Sequence, residues 1–199
     1  MKKTLILILT LLVTLSLITG CGKKDSAPAS AVTDLLDNLK NSSASELEEQ
    51  LLGSYSEDSD EYALFKSFDL SLLYKNLDYE IVSSVIDNPN SDSKNGTVKV
   101  NVTNTDFSVL MSEWAEETIL SVATLPEDIS IEEFNTYLFE KSGEILAKLL
   151  SRSDNKISTK AFVVEVYEDT DGVWKIKSGI DPNKVLIGLD DFSEALAMS

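Results

Sequence analysis

Residues 97–104 read Thr-Val-Lys-Val-Asn-Val-Thr-Asn. Val98, Val100 and Val102 alternate with Lys99, Asn101 and Thr103, the period of a strand with one buried face and one solvated face. Upstream, Tyr79 to Asp87 (YEIVSSVID) is rich in β-branched residues. Between the two lie Asn88-Pro89-Asn90 and Lys94-Asn95-Gly96, dense in residues that favour turns. A β-hairpin is the reading. The same grammar returns near the C-terminus, where Phe162, Val164 and Val166 alternate with Val163, Glu165 and Tyr167. There Asp169-Thr170-Asp171-Gly172 turns the chain into Val173-Trp174-Lys175-Ile176-Lys177.

Helical periodicity fills the space around the hairpins. Val32, Leu35, Leu36 and Leu39 predict a helix over about 31–40. Ser45-Glu46-Leu47-Glu48 has the spacing of a capping box, with Leu51 and Leu52 following and Gly53 as the stop. Ser54 to Asp60 is polar and loop-like; Tyr62, Phe65, Phe68 or Asp69, Leu72 and Leu73 then predict a third helix ending near Leu77. After the first hairpin, Phe107, Leu110, Met111, Trp114, Ile119 and Val122 form an apolar stripe that Pro126 interrupts. Ser130-Ile131-Glu132-Glu133 is a second capping box, opening a helix whose Ile131, Phe134, Leu138, Ile145 and Leu149 share a face, with its end near Arg152. Val185 to Met198 carries Leu186, Leu189, Phe192 and Leu196 and predicts a short docked helix. Helices, hairpin, two helices, hairpin: the fold class is α+β, with the two hairpins joined in one curved four-stranded antiparallel sheet and the helices packed on it.

The N-terminal residues speak of address. Met1-Lys2-Lys3 precedes an apolar run from Thr4 to Ile18, within the range of a signal-peptide core and shorter than the ~20 residues that span a bilayer. Ile18-Thr19-Gly20-Cys21 follows, and this stretch resembles the lipobox of bacterial lipoproteins. The resemblance implies cleavage before Cys21 and a diacylglyceryl thioether on its sulfur. Two acyl chains hold stably where one holds marginally, since each buried methylene contributes about 0.8 kcal/mol. The expected organisation is a signal peptide over 1–20, a lipidated tether over 21–30 and a single domain over 31–199. The expected location is the outer face of the cell membrane.

Composition excludes several chemistries. The net charge is −17, and loss of Lys2 and Lys3 with the leader takes it to −19. With one arginine, Arg152, and no basic cluster, the chain has no means of holding a polyphosphate, so nucleic acid is not a partner. The absence of histidine removes Ser-His-Asp and Cys-His catalysis and imidazole zinc sites. Cys21 is the only cysteine, so no internal disulfide forms. No Gly-rich phosphate loop exists among the eight glycines, and nothing calls for a cofactor.

A second resemblance rests on Val98-x-Val100-x-Val102-x-Asn104-x-Asp106-Phe107, on Val163-Val164-Glu165-Val166, and on Asp171-Gly172-x-Trp174-Lys175-Ile176. Together these resemble an uncharacterised family of Gram-positive lipoproteins with a nuclear transport factor 2-like (cystatin-like) extracellular domain, over roughly residues 31–190. That family would imply a curved sheet wrapped on a long helix, an Asn-to-Asp step leaving a strand for a helix, and a core tryptophan on the last strand. The fold hosts enzymes, binding modules and structural units alike.

Few residues are candidates for chemistry. Asp106, at a strand end, is the best carboxylate for proton abstraction; the alternative is a first-turn acid serving amide groups and the helix dipole. Asp169-x-Asp171-Gly172 has the start of a calcium loop, but Ser178 stands where the loop needs a glutamate, which favours a plain hairpin turn. Glu57-Asp58-Ser59-Asp60-Glu61 is a solvated acidic loop able to hold a divalent ion loosely. Trp114 and Trp174 belong to the core. Tyr167, Lys99, Lys175 and Lys177 sit on strand faces and could line a groove or blunt a sheet. The leading expectation is a non-enzymatic module binding a small molecule, peptide or protein; a carboxylate-dependent enzyme with a sheet-lined cavity and a sheet-mediated assembly module are the alternatives.

Overall fold

A computed structural model describes residues 28–52, 62, 66–90, 94–126 and 128–190. Cys21, the expected leader over 1–20 and the acidic stretch Glu57–Glu61 lie outside the described residues. The architecture is α+β, a four-stranded antiparallel sheet in the order β1-β2-β3-β4, formed by Asp78–Ile86, Asn95–Thr105, Ile157–Glu168 and Trp174–Ser178. The two hairpins join through β2 and β3, whose register runs unbroken from Asn95↔Tyr167 to Thr105↔Ile157. The valine alternation emerges as predicted: Val98, Val100 and Val102 of β2 are buried together with Phe162, Val164 and Val166 of β3 and Trp174 of β4.

Against this face lies α1 (Ala29–Asn41), which buries Val32, Leu36 and Leu39, one helical stripe. Each such side chain contributes about 1.5–3 kcal/mol by leaving water. The helix comes close to both outermost strands, β1 and β4. At β1 it is hooked by Tyr79, whose hydroxyl donates to Asp37 Oδ1 at 2.7 Å, and by Lys40, 2.9 Å from Asp78. Burial and the Asp37 carboxylate push the Tyr79 phenol up to about 12. Pro28, just before the helix, packs beside Gly96 at the start of β2.

The second helix, α2 (Ala44–Leu52), has its cap two residues earlier than predicted. Ser43 and Glu46, not Ser45 and Glu48, form the reciprocal pair: the Ser43 amide donates to Glu46 Oε2 at 2.7 Å and the Glu46 amide to Ser43 Oγ at 3.4 Å. The reason is the short break after α1, where Ser42 already adopts an extended conformation. The predicted third helix does not run through to Leu77. Asp69 is extended (ψ 109°), and its carboxylate accepts from the Ser71 amide, opening a separate 3₁₀ turn over Leu70–Tyr74. Such local bonding is the usual way an aspartate competes with helix. Leu70, Leu73, Tyr74 and Leu77 still reach the core.

Between β2 and β3 the chain makes a helical hairpin, α3 (Phe107–Val122) and α4 (Ile131–Ser151). The Ser130–Glu133 capping box is present as predicted. Phe107, Leu110 and Trp114 of α3 meet Ile145, Leu146, Leu149 and Leu150 of α4 in the core, and Trp114 Nε1 donates to the Ser142 carbonyl at 2.8 Å. The outer half of the hairpin departs from expectation: Ile119 is 69% exposed and Ile131 82%, although both continue the apolar stripes. No described helix is long and apolar enough to cross a membrane. Beyond β4, Val185, Leu186 and Ile187 dock in turns and helix resumes only at Leu189; residues 191–199 of the expected terminal helix fall outside the description.

Candidate functional site

The polar residues that matter cluster where β2 passes into α3. Asn104, the last inward position of β2, is fully buried, and its carboxamide nitrogen donates to the carbonyls of Leu73 (3.2 Å) and Val185 (3.0 Å). Its oxygen accepts from the Thr105 amide at 2.8 Å. One side chain thereby ties the 3₁₀ turn and the C-terminal segment to the sheet. Two residues on, Asp106 takes the N-cap position of α3 with extended backbone (φ −75°, ψ 93°).

The Asp106 carboxylate does not cap the helix amides. It accepts from Ser108 Oγ at 2.6 Å and Ser158 Oγ at 2.8 Å, and lies 2.9 Å from Lys156 Nζ. Burial alone would raise its pKa, but the two hydroxyls and the ammonium outweigh burial and hold the carboxyl far below the usual carboxylate range. A group so held is ionised and saturated with donors, the opposite of the raised-pKa base that proton abstraction requires. Its neighbours Lys156, Ser158 and Ser108 carry no motif of their own. Ser108 is two residues along the chain, whereas Lys156 and Ser158 are brought in only by the pairing of Asn104 with Ser158 across β2 and β3.

A cleft of about 160 Å³ borders this cluster, between α3 and the segment after α4. Its cations are already engaged. Arg152 is ion-paired with Glu113, and Lys156 with Asp106. Arg152 Nε is buried without a hydrogen-bond partner among the described residues. Asn155 donates its amide to the carbonyls of Leu149 and Leu150 at the end of α4. The cleft is a seam between elements. A wider hollow of about 720 Å³ lies elsewhere, open along the outer half of α4 past Ile131, Asn135 and Phe139, and contains none of the polar cluster.

Asp169 is a turn residue. One carboxylate oxygen accepts from the amides of Asp171 and Val173, both at 3.0 Å, and the other lies 2.8 Å from Lys175. These bonds and the lysine lower its pKa, with Lys175 the largest influence. Gly172 follows with φ +75°, as a tight hairpin corner requires. No group of three or more metal-binding side chains is gathered among the described residues.

The remaining candidates share the outward face of the sheet. Tyr167 stands opposite Lys175 and Asn95, Lys177 lies 3.5 Å from Glu165, and Lys99 stands opposite Val163. Trp114 and Trp174 are buried, as their spacing predicts. Comparison of the chain with protein-family models, with curated proteins and with solved structures found no match.

Proposed function

We propose that this chain is a bacterial lipoprotein, held by lipid on Cys21 at the extracytoplasmic face of the cell membrane, whose domain acts by binding and not by catalysis. The anchor is supported by the apolar run Thr4–Ile18 and the lipobox-like Ile18-Thr19-Gly20-Cys21. The observation that carries the non-enzymatic reading is the state of Asp106: the best-placed carboxylate of the chain is saturated by Ser108, Ser158 and Lys156. The approach of α1 to both edge strands is what a cystatin-like sheet wrapped on its helix requires, and favours that finer assignment of the fold. The partner is a small molecule, a peptide or a protein, and the acidity of the chain keeps nucleic acid out.

The test is the intact mass of the full chain recovered from the membrane fraction of a Gram-positive host, beside a Cys21→Ser variant. The expected mass lacks residues 1–20 and carries a diacylglyceryl group, and the variant carries neither change. Membrane-bound chain that keeps residues 1–20 and has no added lipid would refute the anchor. Native mass spectrometry of the same preparation checks binding. A retained small molecule chemically altered over time would overturn the non-enzymatic reading.

A second reading, assembly through the sheet, is favoured by one observation: the outward face exposes Val82, Val85 and Val163, each more than half accessible.

A further inference from the structure

The last described residues lead onto α3. The Phe107 amide donates to the Ile187 carbonyl at 2.8 Å. Gly188 (φ +88°) lies so close to the start of α3 that a Cβ on it would meet the Ser108 amide nitrogen at 2.8 Å. Helix resumes at Leu189, which is half-buried and packs against the core, while Asp190 is exposed. The sequence beyond keeps that division at helical period. Phe192 and Leu196 fall on the face of Leu189; Asp191 and Glu194 fall on the face of Asp190. A helix thus begins beside Ser108 with its apolar face already turned to the protein.

The flank of α3 that starts at Ser108 matches it. Ser108, Met111, Ala115, Ile119 and Val122 recur every three or four residues along one side, with no charge among them. Met111 and Ala115 are half-buried, and Ile119 is 69% exposed. The glutamates of α3 lie off this side: Glu113 pairs with Arg152 and Glu117 with Lys148, so α4 holds the opposite flank. From Ser108 to Ile119 the helix rises about 16 Å, and residues 189–199 as a helix rise about as far. Two apolar stripes of one length, both spaced by threes and fours and both starting at the Gly188–Ser108 contact, pack as ridges into grooves when their helices run side by side. Any external partner would have to pass the helix that already begins at the head of the stripe.

We propose that the apolar flank of α3 is the seat of this chain's own segment 191–199, which lies outside the described residues. The helix that begins at Leu189 runs along α3 in the same direction, with Phe192 against Met111 and Leu196 against Ala115. The acids at 190, 191 and 194 then face water, away from the glutamates of α3. The docking rests on neither the lipid anchor nor the binding reading of the domain.

The test places pairs of cysteines in the full chain in mild detergent, with Cys21→Ser throughout so that only the two new thiols are present. Urea unfolding checks that each variant is folded. Ala115→Cys with Leu196→Cys is expected to close to an intramolecular disulfide under mild oxidation at least about ten-fold faster than Glu116→Cys with Leu196→Cys, because position 116 points off the stripe. In parallel, Met111→Ala and Phe192→Ala each lower the urea midpoint, and together they lower it by less than the sum, since the two side chains share one contact. Equal closure of the two cysteine pairs, disulfides formed only between chains, or additive midpoint shifts overturns the proposal.

Discussion

Asp106 and Lys156 hold each other twice: the Asp106 amide donates to the Lys156 carbonyl at 2.8 Å, and the Lys156 ammonium lies 2.9 Å from the Asp106 carboxylate. The backbone bond continues the β2–β3 ladder, and the side-chain pair closes it where α3 departs. Replacing Asp106 by alanine leaves Ser108 and Ser158 without their acceptor, and costs about 2–3 kcal/mol in urea unfolding. Lys156→Ala costs less than about 1 kcal/mol, because that side chain is mostly in water.

The same pair predicts a pH profile. The Asp106 carboxyl titrates lower in the folded chain than in the unfolded one, so its contribution is complete above the ordinary carboxylate range and is lost as pH falls. The stability difference between wild type and Asp106→Asn is expected to be constant from about pH 8 to about pH 5 and to shrink below about pH 4. A difference that grows on acidification would contradict the assignment.

Asn104 separates hydrogen bonding from size. Asn104→Asp keeps the shape but turns a buried donor aimed at two carbonyls into an acceptor. It is expected to destabilise more than Asn104→Ala, by about 1 kcal/mol or more at neutral pH, and to recover part of the loss on acidification as the new carboxyl protonates. Urea midpoints at pH 7 and at about pH 5 check both parts.

Two glycines with positive φ predict opposite sensitivities. At Gly172 (φ +75°) a Cβ would meet nothing within 4 Å, so Gly172→Ala strains only the backbone and costs about 1 kcal/mol. At Gly179 (φ +103°) the added carbon would meet the Val163 carbonyl oxygen at 2.2 Å. Gly179→Ala must push β4 off β3, and is expected to cost at least about 3 kcal/mol in urea unfolding.

The cap of α2 is testable by position. Ser43→Ala is expected to cost about 1 kcal/mol and Ser45→Ala to stay within about 0.5 kcal/mol, measured by thermal unfolding. The reverse order would restore the frame that begins at Ser45.

These residues also show what a sequence can and cannot disclose. The alternation of Val98, Val100 and Val102 identifies a strand and its buried face because period two has one physical meaning there. Ser130 and Glu133 identify a helix start because both partners of the bond lie within one turn. Ile119 and Ile131 mislead, since periodicity tells which side of a helix is apolar and not whether anything lies against it. The predicted third helix fails at Asp69, where a carboxylate takes the Ser71 amide away from helical bonding. At the polar cluster, Asp106 is identifiable as a helix start. Its partners Lys156 and Ser158 come from across a register that no local pattern encodes.

Pro28 beside Gly96 also fixes a direction. Gly96 pairs with Ile86 and Val166, at the end of the sheet where both hairpins turn. Pro28 lies seven positions beyond Cys21, a reach of at most about 25 Å. With lipid on Cys21, as proposed above, the turn end of the strands lies within that reach of the bilayer, and the Asp106 end is the farther one along the sheet.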